Sequence, residues 1–241
     1  MNNSVNGLNF VMNINVNYLL TFLFLIIALI GIMGNLLVII SVRVDPNMKR
    51  SLTNRLIVHV GCCDLIILLF NLPDIIQFVS SINGNWVLNE ISCKLIRSIL
   101  VLAQYASVLT MCAVTIERFI GIVYPLRSKF LREKKHVTLI TLFVWLFSLI
   151  CASPNFIYLH VVTFSPSRRS CLLQYSQDFN RHQRIYIIYK SIESTIFYFI
   201  PLLIQIYSYI RIAKQLFQLD QTLYTSIKLT KKSNNQRTQV F

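Results

Sequence analysis

Charge is scarce in this sequence. Only 13% of its 241 residues are charged, whereas a soluble domain averages about 25%. So large a deficit excludes a chain whose main solvent is water and points to lipid. Acidic residues are the scarcest, 9 against 23 Lys and Arg, for a formal net charge of +14. Such a balance raises the question of nucleic acid. The basic residues, however, sit mostly between apolar blocks, where cytoplasmic loops carry Lys and Arg, so no nucleic-acid partner is implied. Other absences narrow the chemistry. The first 17 residues contain no Lys or Arg, and a signal peptide needs a positive n-region. There is no phosphate loop and no nucleophile–base arrangement, which leaves no motif with a catalytic mechanism. No internal repeat with broken helices points to a transporter. Cys62, Cys63, Cys112 and Cys151 have no accompanying ligand spacing and are expected to be small apolar residues, not a metal site.

Long apolar runs are what the chain has in plenty. Hydrophobic residues make up 55% of it, and Tyr18 to Val42 is a charge-free run of 25 positions. A helix needs about 20 apolar residues to cross a bilayer core of about 30 Å. Hydropathy windows predict five spans: Tyr18–Val42, Leu56–Val79, Ser92–Tyr124, Val137–Phe156 and Tyr186–Phe217. The domain plan is an Asn-rich, disordered outer tail over 1–17 with a sequon at Asn2-Asn3-Ser4, a five-helix region over 18–217, and a basic segment over 218–241. The connections set the orientation. Arg43, Lys49 and Arg50 follow span one, and Arg127, Lys129, Arg132, Lys134 and Lys135 follow span three. Lys228, Lys231, Lys232 and Arg237 lie in the final segment, while Ser80 to Ile91 has no basic residue. The N-terminus is therefore outside and the final segment inside. The expected fold class is an all-α membrane protein. One outer connection, Leu159 to Ile185, carries Arg168, Arg169, Arg181 and Arg184. Longer loops translocate despite their charge, so this one makes an electropositive outer surface.

Each span also carries a polar residue or a proline where a bilayer makes it costly. Span one has Gly34-Asn35. Span two has Asp64, with Pro73 nine residues later. Span three ends in Glu117-Arg118-Phe119, and span four has Trp145 and Pro154. Span five has Pro201, with Tyr209 eight residues later. As an ordered set these resemble the rhodopsin-like (class A) G-protein-coupled receptors. Val60 stands where the second helix of that family usually has Leu, and Phe119 replaces the commoner Tyr. Tyr105 to Thr110, Thr115 to Arg118, and Trp86 resemble the peptide receptors of the ghrelin, neuromedin and thyrotropin-releasing-hormone type within it.

The resemblance implies five helices of a seven-helix bundle in the plasma membrane, a peptide ligand outside and a heterotrimeric G protein inside. It pairs Cys93, at the outer end of span three, with Cys171. It implies that Glu117 holds Arg118 at rest, that Tyr209 supports the arginine on activation, and that Val108 packs on Pro201 in the switch. It suggests a sodium ion at Asp64, Ser107 and Asn35, with a purely structural polar network as the alternative. Ligands of the family bind between the outer halves of the helices, where Asp74, Gln77, Arg97, Leu100, Gln104, Lys190 and Glu193 stand. Leu100 occupies the position of the amine receptors' Asp and argues against a monoamine. Asp74 and Glu193 are expected to receive a basic ligand group, and Arg97 with the outer arginines an acidic one. Glu193 has a second reading as the i, i+3 partner of Lys190. No sixth apolar run follows Phe217, and 218–241 resembles the start of the third inner loop. The expectation is a fragment of a working receptor, or else a non-signalling five-span product that regulates full-length receptors.

Overall fold

The structure, a computed structural model, describes residues 14–80, 86–125, 134–165 and 168–238. Five of its helices are long and apolar enough to cross a membrane. Span one is α1 (Ile14–Val44). A single helical turn follows, α2 (Pro46–Arg50), with Pro46 in its first turn and the Asp45 carboxylate accepting from the Asn47 N–H at 2.8 Å. Spans two, three and four are α3 (Leu52–Ser80), α4 (Glu90–Val123) and α5 (Lys134–Tyr158). Asn89 caps α4 by accepting from the Ser92 N–H at 2.8 Å. An antiparallel hairpin, β1 (Leu159–Ser165) and β2 (Arg168–Leu173), then leads to span five. That span is compound: α6 (Phe179–Ser194), a π turn over Thr195–Phe199, and α7 (Ile200–Thr238).

The π turn has a local cause. Pro201 has no N–H, and its ring crowds the carbonyl of residue i−4, which is Phe197. The helix widens just before it, and the Ile200 N–H bonds to Thr195 O, five residues back.

Helix α4 is the hub and packs against α3, α5, α7 and β1. Its buried positions include Ser98, Ala103, Ala106, Ser107 and Thr110. Lipid is as apolar as leucine, so membrane helices gain little from hiding apolar side chains and approach closely through small residues instead. Ala106 meets Cys63 of α3 and Val144 of α5 in one cluster. Span one shows the other side of the rule: Phe22 and Ile30 are exposed, toward where lipid would lie.

A polar relay ties three spans together. The Trp145 indole N–H donates to His59 Nε2 at 2.7 Å. An accepting Nε2 carries no proton, so the ring proton sits on Nδ1, 2.9 Å from Thr110 Oγ1. Thr110 in turn donates to Ala106 O at 2.6 Å. The cause of these bonds is the bilayer, which offers no water to replace them.

Three expectations shift. Helix α1 starts at Ile14, inside the segment expected to be a disordered tail, because a helix bonds four residues ahead and the apolar run draws in the preceding turn. Residues 1–13 lie outside the described residues. The segment after Phe217 continues α7 to Thr238, since nothing from Leu202 onward is a helix-breaking Pro or Gly. The outer connection folds as the hairpin and the start of α6, so the α-helical bundle carries one small sheet.

Replacing His59 by Leu leaves the Trp145 N–H without an acceptor. Stability should fall by about 1 kcal/mol, the scale of interhelical hydrogen bonds in membranes. Thermal unfolding in lipid bicelles checks this, and an unchanged melt would show that the relay does not stabilise the bundle.

Candidate functional site

The end of the bundle expected to face outside, the outer end, is roofed by the hairpin. A disulfide joins Cys93 to Cys171 with the Cα atoms 5.7 Å apart, which pins β2 onto the start of α4. Trp86 is buried against this bond with Leu159. Its backbone N–H donates to Arg169 O at 2.8 Å and its indole N–H to Asn89 O at 3.3 Å. The Arg97 guanidinium lies 5.8 Å from the Trp86 ring centre, within cation–π range.

Beneath the roof is a cavity of about 400 Å³, reached by Arg97 and Val101 of α4, Asn155 of α5, the hairpin, and His182, Tyr186 and Lys190 of α6. Tyr175, between β2 and α6, packs on Tyr158 and Tyr189. Burial, then the nearby Tyr189 and Glu193, pushes the Tyr175 phenol above its ordinary range, so it stays neutral. A second cavity of about 280 Å³ lies deeper, lined by Gln104, Tyr105, Ser107, Val108, Ile67 and Phe197. There Tyr105 and Phe197 stack with ring centres 3.7 Å apart.

The charged residues expected to meet a ligand separately meet one another. Arg97 pairs with Asp74 at 3.2 Å, and Lys190 with Glu193 at 2.6 Å. Positions i and i+3 are neighbours on a helix, which brings the second pair together. The first bridges spans two and three. Leu100 is half-buried and Gln104 exposed. Gln77 lies on α3 with its side chain outside the described residues.

At mid-membrane the Ser107 hydroxyl donates to Asp64 Oδ1 at 3.0 Å. Asn35 does not join them. Its amide donates to Gly31 O at 2.9 Å in its own helix, and its Oδ1 lies against Gly61, 3.5 Å from where a Cβ there would stand. Asp64 and Ser107 therefore face each other, while Asn35 is bonded within its own helix.

At the inner end, Glu117 accepts from Thr53 Oγ1 at 2.5 Å. No ion pair joins Glu117 to Arg118 among the described residues, contrary to expectation. Successive residues on a helix point about 100° apart and do not face each other. Thr53 is buried and Arg118 exposed. Tyr209 is also exposed, while Tyr207 brings its ring to 6.0 Å from that of Phe119. Pro201 is buried and Val108 half-buried.

Spans two and three are thus tied at three depths: Asp74–Arg97, Asp64–Ser107 and Thr53–Glu117. Steps of ten or eleven residues along α3 match steps of ten back along α4. Both are close to three helical turns, about 11 residues, so each set shares a face. That periodicity was visible in the sequence and would have named Thr53. His59 carried no such signal; only the position of Trp145 reveals it.

The profile "7 transmembrane receptor (rhodopsin family)" matches residues 34–240. Neuropeptide receptor 15 of Caenorhabditis elegans is 31% identical over 206 residues, 83% of this chain and 60% of that protein. Galanin receptor type 1 of Rattus norvegicus is 27% identical over 221 residues, 91% of this chain and 62% of that protein. The QRFP-like peptide receptor of Branchiostoma floridae is 29% identical over 198 residues, 80% and 50%. The chain spans about 60% of the length of the first two relatives.

Cys93→Ser, Cys171→Ser and the double variant should lose stability alike, by about 2–4 kcal/mol. Thermal unfolding under non-reducing conditions checks this. A double variant clearly below either single one would mean that the thiols stabilise the roof in some way other than through their bond.

Proposed function

The chain belongs to the rhodopsin family of seven-transmembrane receptors, and on that premise we propose that it serves a receptor that binds an extracellular peptide and engages a heterotrimeric G protein. It is a multi-pass protein of the plasma membrane, and its family consists of receptors, not enzymes. The relatives that match it carry the names of peptide receptors.

One observation carries the reading. Helix α4 bears Arg97 in the outer cavity and Arg118, exposed, at its inner end. These residues lie 21 apart, which at about 1.5 Å per residue is roughly 32 Å of helix. A ligand under the roof and a protein at the inner face therefore touch the same rod. The cavity lies within the size range of small-ligand sites, about 300–1,000 Å³, so it holds one end of a peptide while the remainder lies over the hairpin. At the other end, Arg118 has five N–H donors and no ion-pair partner among the described residues, which suits the carbonyls and carboxylates of an inner partner. Binding at one end shifts the other only through a difference in affinity between two states of the bundle, commonly 1–3 kcal/mol.

Sequencing the 3′ end of the native message establishes which polypeptide to express. Peptide-stimulated nucleotide exchange is then measured on membranes holding it. Arg118→Gln should abolish exchange while leaving binding of the active peptide within about threefold, a difference under about 0.7 kcal/mol. Exchange that persists at the wild-type level in Arg118→Gln would remove the arginine from the coupling surface.

A further inference from the structure

The two ion pairs of the outer cavity face it unequally. Arg97 and Lys190 line the cavity, while Asp74 and Glu193 do not. The carboxylates stand behind the cations. Arg97 Nε is buried without an acceptor, and Asp74 takes the guanidinium at Nη2. A guanidinium has five N–H donors and an ammonium three, so both groups keep donors for a guest.

Of the other polar groups at the cavity, Asn155 and His182 each spend a nitrogen inward, while Tyr186 also lines it. The Asn155 amide nitrogen donates to Ala152 O at 3.3 Å and Tyr189 Oη at 3.2 Å, and His182 Nδ1 accepts from the Tyr175 N–H at 3.1 Å. The remaining surface is largely aliphatic, from Val101 and Leu172 among others. Among the described residues, no carboxylate lines the cavity.

We propose that this cavity is an anchoring site for a carboxylate carried beside an apolar side chain, supplied by the free end of a peptide or by an acidic residue within it. A guanidinium binds a carboxylate through two parallel bonds, and Lys190 adds a point charge. The paired carboxylates keep the empty site close to neutral, so two bare cations are not buried together. A basic guest meets two cations and no accepting carboxylate. The lining residues named above come from spans three to five and the hairpin. The proposal rests on the peptide-receptor reading for the source of the carboxylate, but not for the charge preference.

The test uses the full chain in lipid nanodiscs and three probes followed by saturation-transfer NMR. N-acetyl-Gln-Leu offers a terminal carboxylate, N-acetyl-Glu-Leu-amide a side-chain carboxylate, and N-acetyl-Gln-Leu-amide none. At least one carboxylate probe should bind about tenfold tighter than the neutral one, as charge-assisted bonds outweigh neutral ones. Whichever it is identifies the source. Each ion pair is neutralised as a unit, by Arg97→Gln with Asp74→Asn and by Lys190→Gln with Glu193→Gln, so that no charge is stranded. Each double variant should cut the preference, and Leu172→Trp, which fills the cavity, should weaken all binding. The same thermal melt across variants confirms folding. Equal binding of all three probes, binding of none, or a preference that survives both neutralisations overturns the proposal. A failure of G-protein exchange with the preference intact would instead count against the receptor reading alone.

Discussion

Lipid supplies no hydrogen bonds, and most of the polar side chains described above answer that constraint within the protein, although Ser98, Tyr105 and Ser148 are buried with hydroxyls that have no partner among the described residues. Each buried polar group inside the bilayer needs a partner within the protein. Where a partner is available in its own helix, the side chain turns back: Thr110 donates to Ala106 O, Thr115 to Met111 O at 2.9 Å, and Asn35 to Gly31 O. Where one is not, it reaches across to a neighbour, and most of those reaches begin or end on α4. The same helix carries the small residues that let its neighbours come close. Close packing and polar satisfaction therefore have one source in the sequence, the Ala, Ser and Thr positions of span three.

Outside the bilayer, water competes for every hydrogen bond and the same devices would be weak. The outer end relies instead on a covalent bond and a small sheet. Cys171 lies on β2 opposite Val161, so the disulfide holds both strands against α4. Trp86 seals the bond from the opposite side. A stapled roof needs little hydrophobic core of its own, and it leaves space beneath it.

Much of this was legible in the sequence. The spans followed from hydropathy, and the order of Gly-Asn, Asp, Glu-Arg, Trp and Pro pointed to the family. The pairing of Cys93 with Cys171 followed from that resemblance and is present in the structure. What escaped was the choice of partner. The resemblance implied that Glu117 holds Arg118, but Glu117 instead accepts from Thr53 of span two. Asp74 and Arg97 looked like separate ligand contacts because nothing local says that two helices bring them to 3.2 Å. His59 drew no notice because a histidine in an apolar span has no signature until Trp145 and Thr110 stand on either side of it. Residue types and elements are local properties and can be read locally. Pairings across helices depend on register, which only the packed bundle sets.

The distribution of ties also decides where this bundle can yield. Spans two and three are bonded at outer, middle and inner depth, and separating them would strand a charged or polar group at each level. Span four is held to both by the His59 relay. Among the described residues, the hydrogen bonds of span five to span four lie in its outer half, where Tyr189 accepts from Asn155 and donates to Cys151 O at 3.2 Å. At the π turn and below it, rings of span five meet rings of span three: Tyr105 with Phe197, and Phe119 with Tyr207. Stacked and tilted rings slide at a cost of about 1 kcal/mol, because no donor is left without an acceptor. A hydrogen-bonded carboxylate in the same place would resist with several times that. The inner half of span five, which meets span three through rings, thus yields more cheaply than spans two and three separate, and it lies against the end of α4 that carries Arg118.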